Sequence, residues 1–187
     1  MTIPNIITLL RFLLVPAVVF ALMTGEVDWA FAGFIIAGIS DGVDGFIARQ
    51  FNQRTELGAY LDPMADKLLL VCVFVVLGVM EHLPLWLVVA AVSRDGLIVG
   101  GVLLSTIMGN PVPMKPLLVS KANTLVQILL AGLVLASLSL SFELGIVYTG
   151  LVFLSALLTA ASGAAYLLSW IKHMGGYVDT DTPNGKG

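Results

Sequence analysis

One cysteine, Cys72, and two distant histidines, His82 and His173, are too few for an intrachain disulfide or a zinc site in a chain of 187 residues. Charge is scarce too, at 11% of residues against 58% hydrophobic, with a mean hydropathy of +1.01. A soluble domain of this size would expose far more charge, so a soluble globular protein is excluded. No cleavable signal or arginine-rich transit segment is expected before the first apolar run, because Thr2, Ile3 and Pro4 lead straight into it.

What fills the chain is a series of apolar stretches separated by short polar breaks, each about 20 residues and long enough to cross a bilayer. They run from about Pro4 to Met23, Trp29 to Arg49, Leu57 to Val79, Pro84 to Met108, Lys121 to Leu140 and Leu144 to Ile171. The expected fold is all-α: a polytopic membrane domain of six transmembrane helices over residues 1–173, then a polar, disordered tail over 174–187. Pro4 suits a first helical turn and Pro16 is positioned to kink the first span.

Lys and Arg favour the cytoplasmic side of short loops. The breaks after spans one, three and five hold Glu26, Asp28, Glu81, His82 and Glu143 without Lys or Arg. The opposite side holds Arg49, Arg54, Lys115, Lys121, Lys172 and Lys186. Both termini are therefore expected in the cytoplasm, and a bacterial inner membrane is the simplest location, with an organelle membrane, the transit peptide removed, as the alternative.

Against this background four aspartates stand out, in the frame DxxDGxxARx8Gx3Dx3D from Asp41 to Asp66. Asp41 and Asp44 fall at the cytoplasmic end of span two, and Asp62 and Asp66 in the first turns of span three. Asp41, Asp44 and Ala48 share one helical stripe, as do Gly58, Asp62 and Asp66. Gly45 and Gly58 remove side chains from those stripes and give a ligand or neighbouring backbone room.

A charged residue at mid-membrane costs about 2.5–3.5 kcal/mol on insertion scales, and clustered carboxylates repel unless protons or cations intervene. Hard divalent cations with oxygen ligands, Mg²⁺ or Mn²⁺, suit such a set, and Mg²⁺ completes its shell with phosphate oxygens. The implied substrate is a phosphate ester. Two other readings stand beside this one: structural pairing with Arg49, Lys67 or Arg94, and binding of a coupling ion in a transporter. The second is disfavoured by the absence of an inverted repeat and by the position of the acids at one end of their spans.

Asp41, Asp44, Gly45, Ala48, Arg49, Gly58, Asp62 and Asp66 together match every fixed position of the signature of the CDP-alcohol phosphatidyltransferases, and the chain resembles that family over nearly its whole length. The resemblance implies transfer of a phosphatidyl group from CDP-diacylglycerol to an alcohol with release of CMP. It implies two divalent ions held by Asp41, Asp44, Asp62 and Asp66, with Asp66 also the general base. Gly45, Ala48 and Gly58 would make space for the cytidine nucleotide, and Arg49 would offset diphosphate charge. Asn5, Thr8 and Arg11, at three-residue intervals in span one, resemble the start of many members and are expected to contact the donor, although an arginine there also suits snorkelling to headgroups.

The acceptor must be chosen by residues outside the signature. Arg94, Lys115, Lys121 and Lys67 form a cationic set suited to an anionic acceptor; Lys67 could also pair with an acid. Ser93, Arg94 and Asp95, together with the stretch from Lys115 to Gln127, resemble the eukaryotic-type cardiolipin synthases, whose acceptor is phosphatidylglycerol. Phosphatidylglycerophosphate synthases, which use glycerol 3-phosphate, are the alternative. Gly96 and Gly100 form a small-xxx-small pair fitted either to a homodimer or to internal packing. Membrane lipids are expected partners, and nucleic acid is not.

Overall fold

The computed structural model describes residues 3–50, 56–107 and 118–174, with side chains over 9–40, 65, 67–101, 104, 107 and 118–171. Among these the chain forms six α-helices and no strand: α1 (Ile3–Met23), α2 (Val27–Gln50), α3 (Glu56–Val79), α4 (Leu85–Ile107), α5 (Leu118–Leu140) and α6 (Gly145–Met174). The apolar runs of the sequence foreshadow all six to within a few residues. Pro16 lies inside α1 without ending it.

Three of the connections are tight, and each contains a left-handed residue within two positions of the helix end: Gly25 (φ 81°), Glu81 (φ 62°) and Ser141 (φ 55°). In each the next amide reaches back five residues, Glu26 N to Ala21 O, His82 N to Leu77 O and Phe142 N to Ser137 O. This wrap satisfies helix-end carbonyls and forces the chain to reverse. The three reversals gather at one end of the bundle, where Ser139 Oγ donates to Asp28 at 2.6 Å and Tyr148 Oη to the His82 carbonyl at 3.2 Å.

Helix packing closes a ring in the order α1, α2, α5, α6, α4, α3 and back to α1, with α3 also touching α5 across it. Leu22, Ala30, Val73, Leu77, Leu87, Leu130 and Leu135 are fully or almost fully buried at its centre. The outside is apolar as well: Phe20 of α1, Ile36 of α2, Val75 of α3, Leu97 of α4, Ile128 of α5 and Leu157 of α6 are all exposed. Two stretches, Leu118–Leu140 and Gly145–Ile171, are long and apolar enough by themselves to cross a membrane. Leu9–Met23, Val27–Ser40 and Lys67–Val79 are shorter apolar runs, and α4 carries Arg94 and Asp95 within its length.

The small-residue pair of α4 departs from one expectation. A methyl group placed on Gly96 or Gly100 would meet no atom within 4 Å among the described residues, so neither position packs closely against a described part of another helix. Close packing occurs instead at Gly33, where such a methyl would lie 2.6 Å from Val18 Cγ2, and at Gly78, 2.7 Å from Val88 Cγ2.

Candidate functional site

Asp41, Asp44, Gly45, Ala48 and Arg49 lie on α2, and Gly58, Asp62 and Asp66 on α3. Asn5 and Thr8 lie on α1. The side chains of all these residues are outside those described, and Lys115 is outside the described residues altogether. The two aspartate-bearing helices both pack against α1 and both touch α5. Arg11 of α1 is 1% exposed, so its side chain turns into the bundle and does not snorkel to the surface.

Two of the expected acceptor residues, Lys67 and Arg94, meet at Asp95. Lys67 Nζ stands 2.8 Å from Asp95 Oδ1, and Arg94 Nη1 stands 2.6 Å from the same oxygen. Arg94 is 3% exposed, and two more of its five N–H donors are engaged: Nε donates to Ser162 Oγ at 2.8 Å and Nη2 to Ser120 Oγ at 2.5 Å. Its guanidinium also lies 5.9 Å from the centre of the Tyr166 ring, within the range of a cation–π attraction. One carboxylate and one guanidinium thus tie α3, α4, α5 and α6 together. Two cations on one anion leave one positive charge in excess within the triad. Lys121, by contrast, is exposed and stands outside it.

The polar interior continues between α5 and α6. Asn123 is fully buried and accepts at Oδ1 from Thr159 Oγ1 at 3.0 Å, and Gln127 is 2% exposed. Asn123 Nδ2, Gln127 Nε2 and Ser155 Oγ are buried without a hydrogen-bond partner. A buried polar group left in that state costs about 1–3 kcal/mol, and three of them lie on one seam.

A mostly apolar cavity of about 590 Å³, lined in part by Arg94, opens between α4 and α6 along Gly96, Gly100, Gly163, Tyr166 and Trp170. No three His, Cys, Asp or Glu side chains gather to hold a metal ion among the described residues, which do not include the side chains of the four motif aspartates. Their donor set consists of carboxylate oxygens alone and fits a hard divalent cation.

The chain matches the CDP-alcohol phosphatidyltransferase family over residues 1–171. It belongs to that family. A human protein named cardiolipin synthase (CMP-forming) is 33% identical to it over 88% of this chain and 60% of that one. A fission yeast cardiolipin synthase (CMP-forming) / mitochondrial hydrolase fusion protein is 34% identical over 90% of this chain and 31% of that one. The chain therefore spans less than two thirds of the length of either. A Mycobacterium tuberculosis protein named probable phosphatidylglycerophosphate synthase is 33% identical over 94% of this chain and 85% of its own length.

Sequence reasoning singled out Lys67 and Arg94 and set Asp95 beside Arg94, but did not join Lys67 to Asp95. It also missed the α6 partners, Thr159 and Ser162. A signal for these was present, since Ser155, Thr159 and Ser162 recur at helical spacing within an apolar run.

Proposed function

We propose that this chain transfers a phosphatidyl group from CDP-diacylglycerol to the hydroxyl of phosphatidylglycerol, giving cardiolipin and CMP. The observation that carries this reading is the full aspartate signature, on α2 and α3, in a chain of this family whose relatives include CMP-forming cardiolipin synthases.

In this reading all six helices cross a bilayer, as the outward apolar residues on each of them support. The reversals carrying Glu26, Glu81 and Glu143 face away from the cytoplasm, and both termini and the aspartates lie on the cytoplasmic side. The membrane is the inner membrane of a bacterium; the fusion protein's name suits an organelle membrane for eukaryotic relatives.

Asp41, Asp44, Asp62 and Asp66 would hold two divalent cations, Mg²⁺ or Mn²⁺, which when bound neutralise the donor diphosphate and the charge that develops on it. Gly45, Ala48 and Gly58 leave space for the nucleotide, while Arg49, Arg11, Asn5 and Thr8 orient the donor. The Asp66 carboxylate takes the proton of the acceptor hydroxyl as its oxygen attacks the phosphorus bearing the lipid. A new P–O bond forms, the bond to CMP breaks, and CMP leaves. Arg94 and Lys67, fixed through Asp95, hold the acceptor phosphate, and Lys115 and Lys121 draw the anionic headgroup in from the surface.

The second reading, glycerol 3-phosphate as acceptor, is favoured by the relative named probable phosphatidylglycerophosphate synthase, most of whose length this chain covers. Purified protein given CDP-diacylglycerol, Mg²⁺ or Mn²⁺, and one acceptor at a time separates the two. CMP release with phosphatidylglycerol, and cardiolipin as the lipid product, is expected. Release with glycerol 3-phosphate alone would replace the first reading by the second, and ion flux in vesicles without CMP from any alcohol would point to a transporter.

A further inference from the structure

The seam between α5 and α6 has a regular register. Ser120 and Ser162 meet through Arg94, and Asn123 meets Thr159 directly, three residues further along α5 and three residues back along α6. Four further residues in each direction set Gln127 opposite Ser155. The seam is thus a ladder of facing polar groups descending from the Lys67–Asp95–Arg94 triad.

Its lower rungs are incomplete in one chemical sense. Thr159 claims the Asn123 carbonyl oxygen, which turns the amide nitrogen away from that partner, and Nδ2 finds no acceptor. Gln127 Nε2 is in the same position one turn further on. Both are neutral groups able only to donate, so an occupant must bring acceptor oxygens and needs no additional negative charge. Their helix touches both aspartate-bearing helices, α2 and α3.

We propose that Asn123 and Gln127 form a neutral subsite for the glycerol oxygens of the acceptor headgroup, next to a phosphate held by Arg94 and Lys67. This rests on the phosphatidyl-transfer reading above. A phosphodiester bearing free glycerol hydroxyls carries one negative charge, matched by the single excess cation of the triad, and its uncharged oxygens match the carboxamide donors. A phosphate monoester approaches two negative charges at neutral pH, and would need a second cation where Asn123 stands. Asn123 is thereby a specificity-determining residue and Thr159 the positioning residue that orients it.

The test compares phosphatidylglycerol with phosphatidyl-1,3-propanediol, which keeps the reacting primary hydroxyl and lacks the central one. With the full chain in detergent, CDP-diacylglycerol and Mg²⁺, the wild type is expected to use the propanediol lipid about tenfold less efficiently in kcat/KM, the worth of one neutral hydrogen bond. Asn123→Leu is expected to lower kcat/KM for phosphatidylglycerol and to treat the two lipids alike, with unchanged Kd for CDP-diacylglycerol. Its Tm is expected to fall modestly, because Thr159 Oγ1 loses the Asn123 oxygen it donates to while the unpartnered Nδ2 is removed, and the comparison of the two lipids is made on the folded variant.

Thr159→Val keeps the amide but frees it to rotate, and is expected to lose part of the discrimination, which Thr159→Ser restores. It gives the same readout should Asn123→Leu fail to fold. Full discrimination retained in Asn123→Leu and Gln127→Leu, or in Thr159→Val, would mean that the seam holds only water and would overturn the proposal. Wild-type protein that makes cardiolipin while those variants discriminate normally sinks the subsite alone. Wild-type protein that reacts only with glycerol 3-phosphate sinks both the subsite and the phosphatidylglycerol reading.

Discussion

Lys67 and Asp95 form an ion pair of 2.8 Å between α3 and α4, and Lys67 directly follows Asp66 in the chain. The pair fixes the rotation of α3 one residue beyond the last aspartate of the signature. Because the same Asp95 oxygen also receives Arg94, the carboxylate that holds α3 in place is itself held by a guanidinium bonded to α5 and α6.

Asp95→Asn should therefore be costly. It leaves two cations facing each other across a neutral amide, and breaking a buried pair costs about 3–5 kcal/mol. The partial exposure of Lys67 reduces this to about 2–3 kcal/mol after solvent screening. Unfolding in detergent, followed by tryptophan fluorescence, should show a loss of that size for Asp95→Asn and a smaller one for Asp95→Glu. Equal stability of Asp95→Asn and the wild type would contradict the clamp.

Asp66→Asn should abolish CMP release while retaining appreciable affinity for CDP-diacylglycerol, since the base is lost and the other carboxylates remain. Chelation by EDTA should stop turnover of the wild type, and Mg²⁺ or Mn²⁺ should restore it. Turnover that survives Asp66→Asn removes that residue from the proton-transfer role.

Gly78→Ala and Gly100→Ala should move stability in opposite directions. The added methyl at position 78 would lie 2.7 Å from Val88 Cγ2, and the stiff valine cannot swing away, so a loss of about 1–3 kcal/mol is expected from overpacking. At position 100 it meets nothing within 4 Å, and better helix propensity should add about 0.5–1 kcal/mol. Thermal unfolding of the two variants side by side is the check; a large loss at position 100 would mean that another molecule packs there.

Glu81→Gly should be neutral to stabilising, by up to about 1 kcal/mol, because Glu81, two residues past the end of α3, has φ at 62° and glycine takes that conformation without a Cβ penalty. A drop in melting temperature would show that the Glu81 side chain contributes more than its backbone strain costs.

The fold was legible to an unusual degree, and the reason lies in the alternation of apolar runs with polar breaks: Thr24 to Glu26 and Met80 to Pro84 are short, and the helices on both sides begin where the pattern changes. Asp41, Asp44, Asp62 and Asp66 were conspicuous because carboxylates are rare in such a sequence. The partners of Arg94 were hidden for the opposite reason. Ser120 and Ser162 are small and common in apolar helices, and only the antiparallel register of α5 and α6 brings both to one guanidinium. That Lys67 would choose Asp95 also depends on how α3 meets α4, which neither helix encodes alone. The open flank at Gly96 and Gly100 was equally invisible, since a small-residue pattern describes what could approach and not what does.

The α5–α6 ladder bears on how the chain enters a bilayer in the first place. Among the described residues these are the two stretches long and apolar enough by themselves to cross a membrane, yet each carries amides or hydroxyls that a solitary helix would show to hydrocarbon. The reversal at Ser141 joins them, and their facing register turns those groups toward each other. In a bilayer, insertion as a preformed helical hairpin would hide from lipid what sequential insertion would expose, and the turn at Ser141 would allow it.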